Sequence, residues 1–235
     1  MATPAEATAY RNAQRDVVAL ARADLASWWR GLDVSDARAA VAALEAVVPT
    51  LVAVYGDAAA SVAADWYDLL RESAGAPGAY RAVLAEPAPA TQVRASARWA
   101  AGPLFAADPD PDHALGLLSG SVQRLVQQAG RRTMFRNGAS DPASPRWARV
   151  PHGISPCAFC RMLASRGAVY LSARTAGRFD QWHDDCNCQP EPVWSGQEPS
   201  YDADALYEQY LVARAQAGGN TRAILAQMRE DLGVN

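Results

Sequence analysis

The sequence contains no lysine, so all 22 of its basic residues are arginines. This absence excludes a P-loop, whose lysine contacts nucleotide phosphates, and Schiff-base catalysis, which requires a lysine amine. Histidine is also scarce, with three residues in a chain of 235. So few histidines leave any catalytic dyad poorly defined by the sequence.

Long apolar runs and leader sequences are missing as well. The N-terminus has neither the basic region nor the apolar region of a secretory signal, and we find no run of about 18 apolar residues. We therefore expect a soluble protein that is made in a cytosol and has no membrane partner. The net charge of −3 gives no long-range attraction for nucleic acid, so any such binding has to be local.

The first two-thirds of the chain has the pattern of helices, because apolar residues recur every three or four positions. Ser35 is expected to cap a second helix, which Pro49 and Gly56 should kink or divide. The seam of the first predicted helix comprises Tyr10, Val17, Ala21, Leu25, Trp28 and Leu32.

A short helix near residues 80–84 and another from about Thr91 are predicted next. Asp110-Pro111-Asp112 then predicts the capped start of a long helix that ends near Phe135. In Asn137-Gly138 and the stretch 140–145, turn residues replace the periodic apolar ones. They predict a domain boundary at about residue 138.

Shorter elements are predicted beyond this boundary. Strand fragments are expected over 147–150, 169–171 and 193–194, with a helix over 160–166. Two more helices follow, one ending at Gly218 and one capped by Thr221. We therefore predict a predominantly α-helical α+β protein with three parts: a helical body (1–138), a small Cys/His module (139–196) and a helical tail (197–235).

All four cysteines and one histidine fall in a single cluster within the module. Cys-x-x-Cys and His-x-x-Cys-x-Cys arms are spacings that close a tetrahedral zinc site, so five candidate ligands compete for four places. A reducing cytosol favours metal over disulfides, although disulfides, a redox pair or unligated thiols remain alternatives. A structural zinc ion would also stabilise a module too small for a core of its own. The candidate ligands are Cys157, Cys160, His183, Cys186 and Cys188.

The motifs in this region carry a resemblance to a known family. Pro156-Cys157-Ala-Phe-Cys160 and Gly167-Ala-Val-Tyr170 are followed by Trp182-His183-Asp-Asp-Cys186-Asn-Cys188 and Pro192-Val193. In this order the motifs resemble those of the minor head proteins of tailed phages. The resemblance is to the phage Mu F-like (MuF) group, in its actinobacteriophage-type branch, and it covers the module only.

The resemblance implies a structural minor capsid protein present at low copy. Such a protein resides in the virion, in the head interior or at the portal vertex, after a period in the host cytoplasm during assembly. It would act in head assembly or in DNA packaging and delivery. Its implied partners are the portal protein and the major capsid protein.

A capsid maturation protease is the first enzyme alternative, since relatives in this branch sometimes carry that label. Ser155, Ser165 and Ser172 lie near His152 and His183 in the sequence, but no Gly-x-Ser-x-Gly elbow frames them. A cysteine protease would pair Cys157 or Cys160 with one of these histidines. It would then need the same sulfur atoms that we assign to the metal.

A zinc-module nuclease is the second enzyme alternative. Asp180, Asp184 and Asp185 could supply a catalytic metal site beside His183, although acidic residues around a zinc arm are usually solvated. The residues therefore favour a structural protein over an enzyme.

Arginines are dense where the long helix ends and the module begins. Positive charge in a last turn suits the helix dipole in any protein, but this density also predicts a local face for packaged DNA or the portal. The residues of this face are Arg131, Arg132, Arg136, Arg146 and Arg149.

Overall fold

The computed structural model describes residues 2–153, 155–170 and 182–234. Within these ranges the protein is mostly helical, with one small antiparallel sheet, which confirms the α+β, predominantly helical class. The helices are α1 (Pro4–Trp29), α2 (Ala37–Ser73), α3 (Ala90–Ala100), α4 (Pro111–Ser140), α5 (Ala158–Ala164), α6 (Ala203–Ala217) and α7 (Thr221–Leu232). A 3-10 turn spans Gly102–Phe105, and the strands are β1 (Arg146–Val150) and β2 (Gln189–Val193).

Helix α1 begins with a capping box, in which the Thr3 hydroxyl accepts from the Glu6 N–H and the Glu6 carboxylate accepts from the Thr3 N–H. Its buried stripe shares Tyr10, Ala21 and Leu25 with the predicted seam, but Val18 and Trp29 are buried in place of Val17 and Trp28, and Gln14 is buried with them. Val17 and Trp28 lie partly buried against the same core. The helical period and three positions of the buried face were therefore predicted correctly.

Helix α2 was expected to be capped by Ser35 and kinked or divided at Pro49 and Gly56. The predicted cap was wrong, and the helix is not divided. Asp36 is the N-cap and the helix runs unbroken for 37 residues. Proline removes an N–H, which leaves the carbonyl four residues earlier without a helical donor. That carbonyl, of Glu45, accepts a hydrogen bond from Arg94 Nε at 3.3 Å. A neighbouring helix therefore replaces the missing bond.

By length and composition alone, α2 is apolar enough to cross a membrane, since one 18-residue window has a mean hydropathy of 1.8. In this structure α2 packs against α1, α3 and α4. Its residues Leu44, Val48 and Val52 are almost fully buried there. These three residues form part of the core of the body, and 28% of that apolar window is buried.

Small residues bring α2 and α4 into close contact. A Cβ atom on Gly130 of α4 would lie 3.0 Å from the carbonyl oxygen of Ala59 in α2, and Ala60 and Ala63 are fully buried nearby. Gln14 of α1 donates to the same Ala59 oxygen at 2.9 Å. Together α1, α2, α3 and α4 enclose one continuous apolar core.

The predicted helix over residues 80–84 is absent, and this segment has no regular secondary structure. Side chains of the body bind its backbone instead: Asp68 accepts from the Ala82 N–H, and Asn137 accepts from the Val83 N–H.

Helix α4 continues to Ser140 and does not end near Phe135, as was predicted. Asn137 and Gly138 therefore lie inside this helix, and the predicted turn at these two residues was wrong.

In the sheet, β1 pairs antiparallel with β2 so that Trp147 lies opposite Pro192. The Trp147 N–H donates to the Tyr170 oxygen at 2.8 Å, on the side away from β2. Trp147 and Pro192 are thus a non-hydrogen-bonded pair, in which proline costs no ladder bond. Tyr170 bridges to Trp147 where a third strand was predicted, and Leu171 lies outside the described residues.

The tail forms a helical hairpin of α6 and α7, which packs on α5. Asp202 caps α6 by accepting from the Ala205 N–H, and Gly218 ends this helix with a φ of 77°. Asn220 caps α7, so the predicted cap at Thr221 was displaced by one residue. Asp204 lies in the first turn of α6, where negative charge suits the helix dipole. The three predicted domain limits themselves stay a prediction.

Candidate metal centre

The first ligand arm is the Cys-x-x-Cys turn at the start of α5. Cys157 is the N-cap of this helix, and its sulfur accepts a hydrogen bond from the Cys160 N–H at 3.4 Å. The turn geometry brings the Cys160 side chain to the same side of the chain as Cys157. Both thiols therefore face one small volume between α5 and the strand pair.

The second arm is the loop that leads into β2. Asp185 adopts a left-handed backbone conformation with a φ of 62°, and the Cys186 N–H donates to the His183 oxygen at 3.3 Å. This tight turn returns the chain so that His183 and Cys186 both face the first arm. Cys188 follows immediately before β2, on the same side.

The two arms meet at Cys160. Two groups of three residues have donor atoms within 4.8 Å of one another: Cys157, Cys160 and His183, and Cys160, Cys186 and Cys188. The sulfurs of Cys160 and Cys186 are 3.6 Å apart, close to the roughly 3.8 Å that tetrahedral Zn–S bonds of about 2.3 Å require. All four cysteines are free thiols. These groups can hold a metal ion.

The His183 ring is oriented as a ligand ring would be. Its Nδ1 lies 2.6 Å from the Asp184 carbonyl oxygen, which fixes the proton on that nitrogen. Its Nε2, the nitrogen left to bind a metal once the ring is neutral, faces the Cys157 sulfur at 3.0 Å. In zinc sites such a carbonyl partner sets the tautomer of the histidine that binds.

Hydrogen bonds among the clustered side chains shift the pKa values of the thiols in opposite directions. Hydrogen bonding from Cys160 and then contact with His183 lower the pKa of Cys157 to about 4, while contact with Cys157 raises the pKa of His183 to about 9. Hydrogen bonding to Cys157 and Cys186 raises the pKa of Cys160. A divalent cation would replace these shared protons, because thiolates are the form that binds metal.

Helix α4 supports the second arm through Arg131. This buried arginine donates from Nε to the Cys188 oxygen at 3.2 Å and from Nη2 to the Cys186 oxygen at 2.6 Å. Burial lowers its pKa to about 10. Trp182 lies between two guanidinium groups, with its ring centre 3.9 Å from Arg131 Cζ and 3.6 Å from Arg149 Cζ. Arg131 of the body thus contacts the ligand loop, residues 182–188, near both of its ends.

Other polar residues of α4 bind the same loop. Arg124 Nε donates to Asp184 at 2.6 Å, and Ser121 donates to the other oxygen of that carboxylate at 3.2 Å. Gln123 donates to the Asn187 side chain at 3.1 Å. Sequence reasoning missed these residues. The available signal was a row of polar residues at helical spacing on a helix that is otherwise apolar on that side.

The residues proposed for enzyme chemistry are placed differently. The buried Ser165 hydroxyl donates to the Met162 oxygen, Ser155 is exposed, and Ser172 lies outside the described residues. Asp184 is paired with Arg124, so the expectation of a solvated loop was wrong for this residue. Asp180 lies outside the described residues, and Asp185 is an exposed partner of Arg22.

His152 lies beside the cluster but belongs to neither group of three. Its backbone N–H donates to the Cys188 sulfur at 3.5 Å, and burial lowers the pKa of its ring. This backbone bond supports a sulfur without adding a ligand atom.

The five arginines do not form one surface. Arg131 and Arg149 are buried, whereas Arg132, Arg136 and Arg146 are exposed. Arg136 donates to the Leu84 oxygen at 2.9 Å and so binds the segment between α2 and α3. The expected continuous basic face is therefore divided into separate parts.

Comparisons with known proteins agree with a phage origin. The chain is similar to the Gene 15 protein of Mycobacterium phage D29, with 29% identity over 148 residues, which is 49% of this chain and 53% of that protein. It is also 29% identical over 141 residues to the Gene 15 protein of Mycobacterium phage L5, covering 41% of this chain and 48% of that protein. The chain thus spans about half the length of these curated relatives. No solved structure matches it.

A family model described as VG15 protein matches residues 1–213, which include the body and the whole Cys/His cluster. The relatives with matching sequence are encoded by mycobacteriophages. The chain therefore belongs to the VG15 protein family and is a phage-encoded protein of actinobacteriophage type.

Proposed function

We propose that this protein is a structural minor head protein of a tailed phage, present at low copy in the head interior or at the portal vertex. It acts in head assembly or in DNA packaging and delivery, with the portal protein and the major capsid protein as partners. The MuF-like order of motifs and the family match to phage proteins support this role. The module is built around a structural zinc ion held by four of Cys157, Cys160, His183, Cys186 and Cys188.

The burial of the sulfurs carries the structural assignment of the metal. The four cysteines are between 0% and 8% exposed, and Arg131 of the body holds the backbone on both sides of Asn187. Buried sulfurs suit a structural zinc site, in which no coordination position is kept open for substrate. His183 is exposed and, with Cys157, Cys186 and Cys188, lines a cavity of about 710 Å³. An ion in this place joins the two arms of the module, and Arg131 holds the second arm on the body.

One contact also favours a second candidate, a cysteine-dependent capsid maturation protease. The Cys157 sulfur and His183 Nε2 are 3.0 Å apart, the arrangement of a thiolate and its base. The same atoms serve a zinc ion equally well, and Cys160 lies within 4.8 Å of both. Metal binding and nucleophilic attack by Cys157 exclude each other, so metal content decides between the two functions.

Elemental analysis of the purified protein tests the metal. We expect about one zinc ion per chain in the wild type and in one of the two variants His183→Ala and Cys188→Ser, with loss in the other. That pair identifies the ligand left outside. A full complement of four alkylation-reactive thiols in the freshly purified protein, with no metal, would favour the protease.

Coexpression with the portal and major capsid proteins tests the role in the head. We expect the wild type to copurify with assembled heads, and the capsid protein to keep its length. Cys160→Ser should lose this association, whereas Ser155→Ala, an exposed change near the same arm, should keep it. Cleavage of the capsid protein that depends on His183 in a zinc-free protein would overturn the structural role.

A further inference from the structure

The outward side of α6 carries three large apolar side chains. Tyr207, Leu211 and Val212 are 46%, 41% and 55% exposed, and all three lie close together on this helix. The opposite side of α6 packs on α5 and α7 through Tyr210 and Ala213. We use the name α6 face for six exposed residues of this helix: Asp204, Tyr207, Glu208, Leu211, Val212 and Arg214.

The aromatic residue of the α6 face is already held in position. The Tyr207 ring stacks on the ring of Tyr210, with centroids 6.1 Å apart and planes inclined by 22°. Tyr210 in turn packs against the apolar cluster formed by α5, α6 and α7. A tyrosine that is fixed in this way loses little conformational entropy when a partner covers it, which favours a contact at this place.

The charges of the α6 face are arranged in a self-complementary order. Asp204 lies in the first turn of α6, and Arg214 lies in its last turn. Neither of these residues nor Glu208 forms an ion pair within the described ranges. Glu208 precedes Leu211 by three residues, and Arg214 follows Leu211 by three. A twofold axis beside Leu211 would therefore exchange the positions of the acid and the base.

We propose that the α6 face binds a second copy of this chain, with the two α6 helices antiparallel and in contact at Leu211. In this arrangement Glu208 of each copy lies opposite Arg214 of the other copy. Tyr207 lies on the same flank as that arginine, where a guanidinium can stack on its ring. Leu211 meets its own counterpart at the centre. The contact is isologous, so each pair of residues occurs twice.

The order of charges is the observation that favours a second copy. A patch with charge of one sign fits any partner of the opposite sign, whereas an acid, a leucine and a base in this order along a helix fit the same helix reversed. The surface is small, since one helix of 15 residues supplies it. We therefore expect a weak dimer that forms as the concentration rises. This inference goes beyond the proposed function, which requires no second copy.

Sedimentation velocity of the full chain over a range of concentrations, in reducing buffer with zinc, measures the dimer. The single variants Glu208→Arg and Arg214→Glu place like charges opposite each other, and each should weaken the dimer at least about tenfold. The double variant Glu208→Arg/Arg214→Glu restores opposite charges in every pair. Its dissociation constant should return to within about threefold of the wild-type value.

Two further variants complete the experiment. Leu211→Asp places a charge at the centre of the contact and should abolish the dimer. Glu72→Arg is the matched control, because it reverses an exposed acid of α2 that forms no ion pair within the described ranges. It should change the dissociation constant less than about twofold. Thermal unfolding of every variant separates loss of fold from loss of the contact.

A wild type that stays monomeric at every concentration would overturn the proposal. A dimer that survives Leu211→Asp, an equal loss in the Glu72→Arg control, or a double variant that is not restored would each do the same. Monomeric protein whose α6 variants no longer associate with heads would assign this face to a different protein. A monomeric wild type that still associates with heads refutes this inference and leaves the proposed function standing.

Discussion

In the body, α1, α2, α3 and α4 enclose a continuous cluster of aliphatic side chains that includes Leu25, Leu44, Val52, Leu118 and Leu125. The module instead has a two-stranded sheet, a seven-residue helix and a cluster whose buried members are the four cysteines. A two-stranded sheet is marginal in water by itself. The body can therefore fold through apolar burial, whereas we propose that the module depends on a metal and on its contacts with α4.

Metal removal is expected to give the largest difference in stability between the module and the body. A structural zinc ion contributes apparent folding free energy on the order of 10 kcal/mol, and the body does not contact the ion through any of the five candidate ligands. After chelation under reducing conditions, we expect hydrogen exchange to become fast in β1, α5 and β2, while α2 and α4 stay protected.

Readdition of zinc provides the control for this experiment and should restore the protection. A module that keeps its slow exchange after the metal has been removed would show that apolar and polar contacts suffice there.

The ion pair between Arg71 and Asp141 is buried and joins the C-terminal ends of α2 and α4. The Asp141 carboxylate is fully buried and accepts from Arg71 Nε and Tyr67 Oη, each at 2.9 Å. We expect Asp141→Ala to cost about 3–5 kcal/mol, because it leaves the Arg71 charge buried without a partner. Urea unfolding monitored by circular dichroism measures this, with exposed Asp16→Ala as the control.

The same carboxylate predicts a pH dependence. Burial acts to raise the pKa of Asp141, but hydrogen bonds from the Ala143 N–H, Arg71 and Tyr67 outweigh it and lower the pKa from 3.8. The stabilisation is therefore complete above about pH 4 and is lost as the pH falls through the folded pKa. Unfolding at pH 3 and pH 7 should differ less in Asp141→Asn than in the wild type.

The smallest expected change in stability is at the contact between α4 of the body and β1 of the module. A Cβ on Gly138 of α4 would lie 1.9 Å from the Trp147 ring of β1, so Gly138→Ala should cost about 1–3 kcal/mol through overpacking. Gly116→Ala in the same helix meets nothing within 4 Å and should stabilise by up to about 1 kcal/mol. Thermal unfolding of both variants compares them. Equal melting temperatures would mean that Trp147 moves aside freely.

Much of the fold could be predicted from local signals. The start of α4 at Asp110-Pro111, strand β1 and the tail helices follow from caps, periodicity and turn residues within a few positions. The expected Cys/His cluster also forms, since the spacing within each arm constrains its geometry. Which four residues bind, and which metal, stay predictions.

Two of the errors share one physical cause. Pro49 was expected to kink or divide α2, but the helix is not divided and Arg94 supplies the missing donor. Residues 80–84 are not helical, and Asp68 and Asn137 bind their backbone. In each case a side chain distant in sequence satisfies a backbone group. Propensity within a window cannot include such a bond.

The sequence by itself determined the helical class, the positions of most helix starts and the two ligand arms, because these depend on residues a few positions apart. Only the tertiary structure decided what Arg131 and Arg149 do, since burial beside Trp182 turned expected surface charges into supports of the ligand loop. It also decided that Tyr207 and Leu211 stay exposed on α6. Charge and burial at a site depend on packing between distant elements, which no local pattern records.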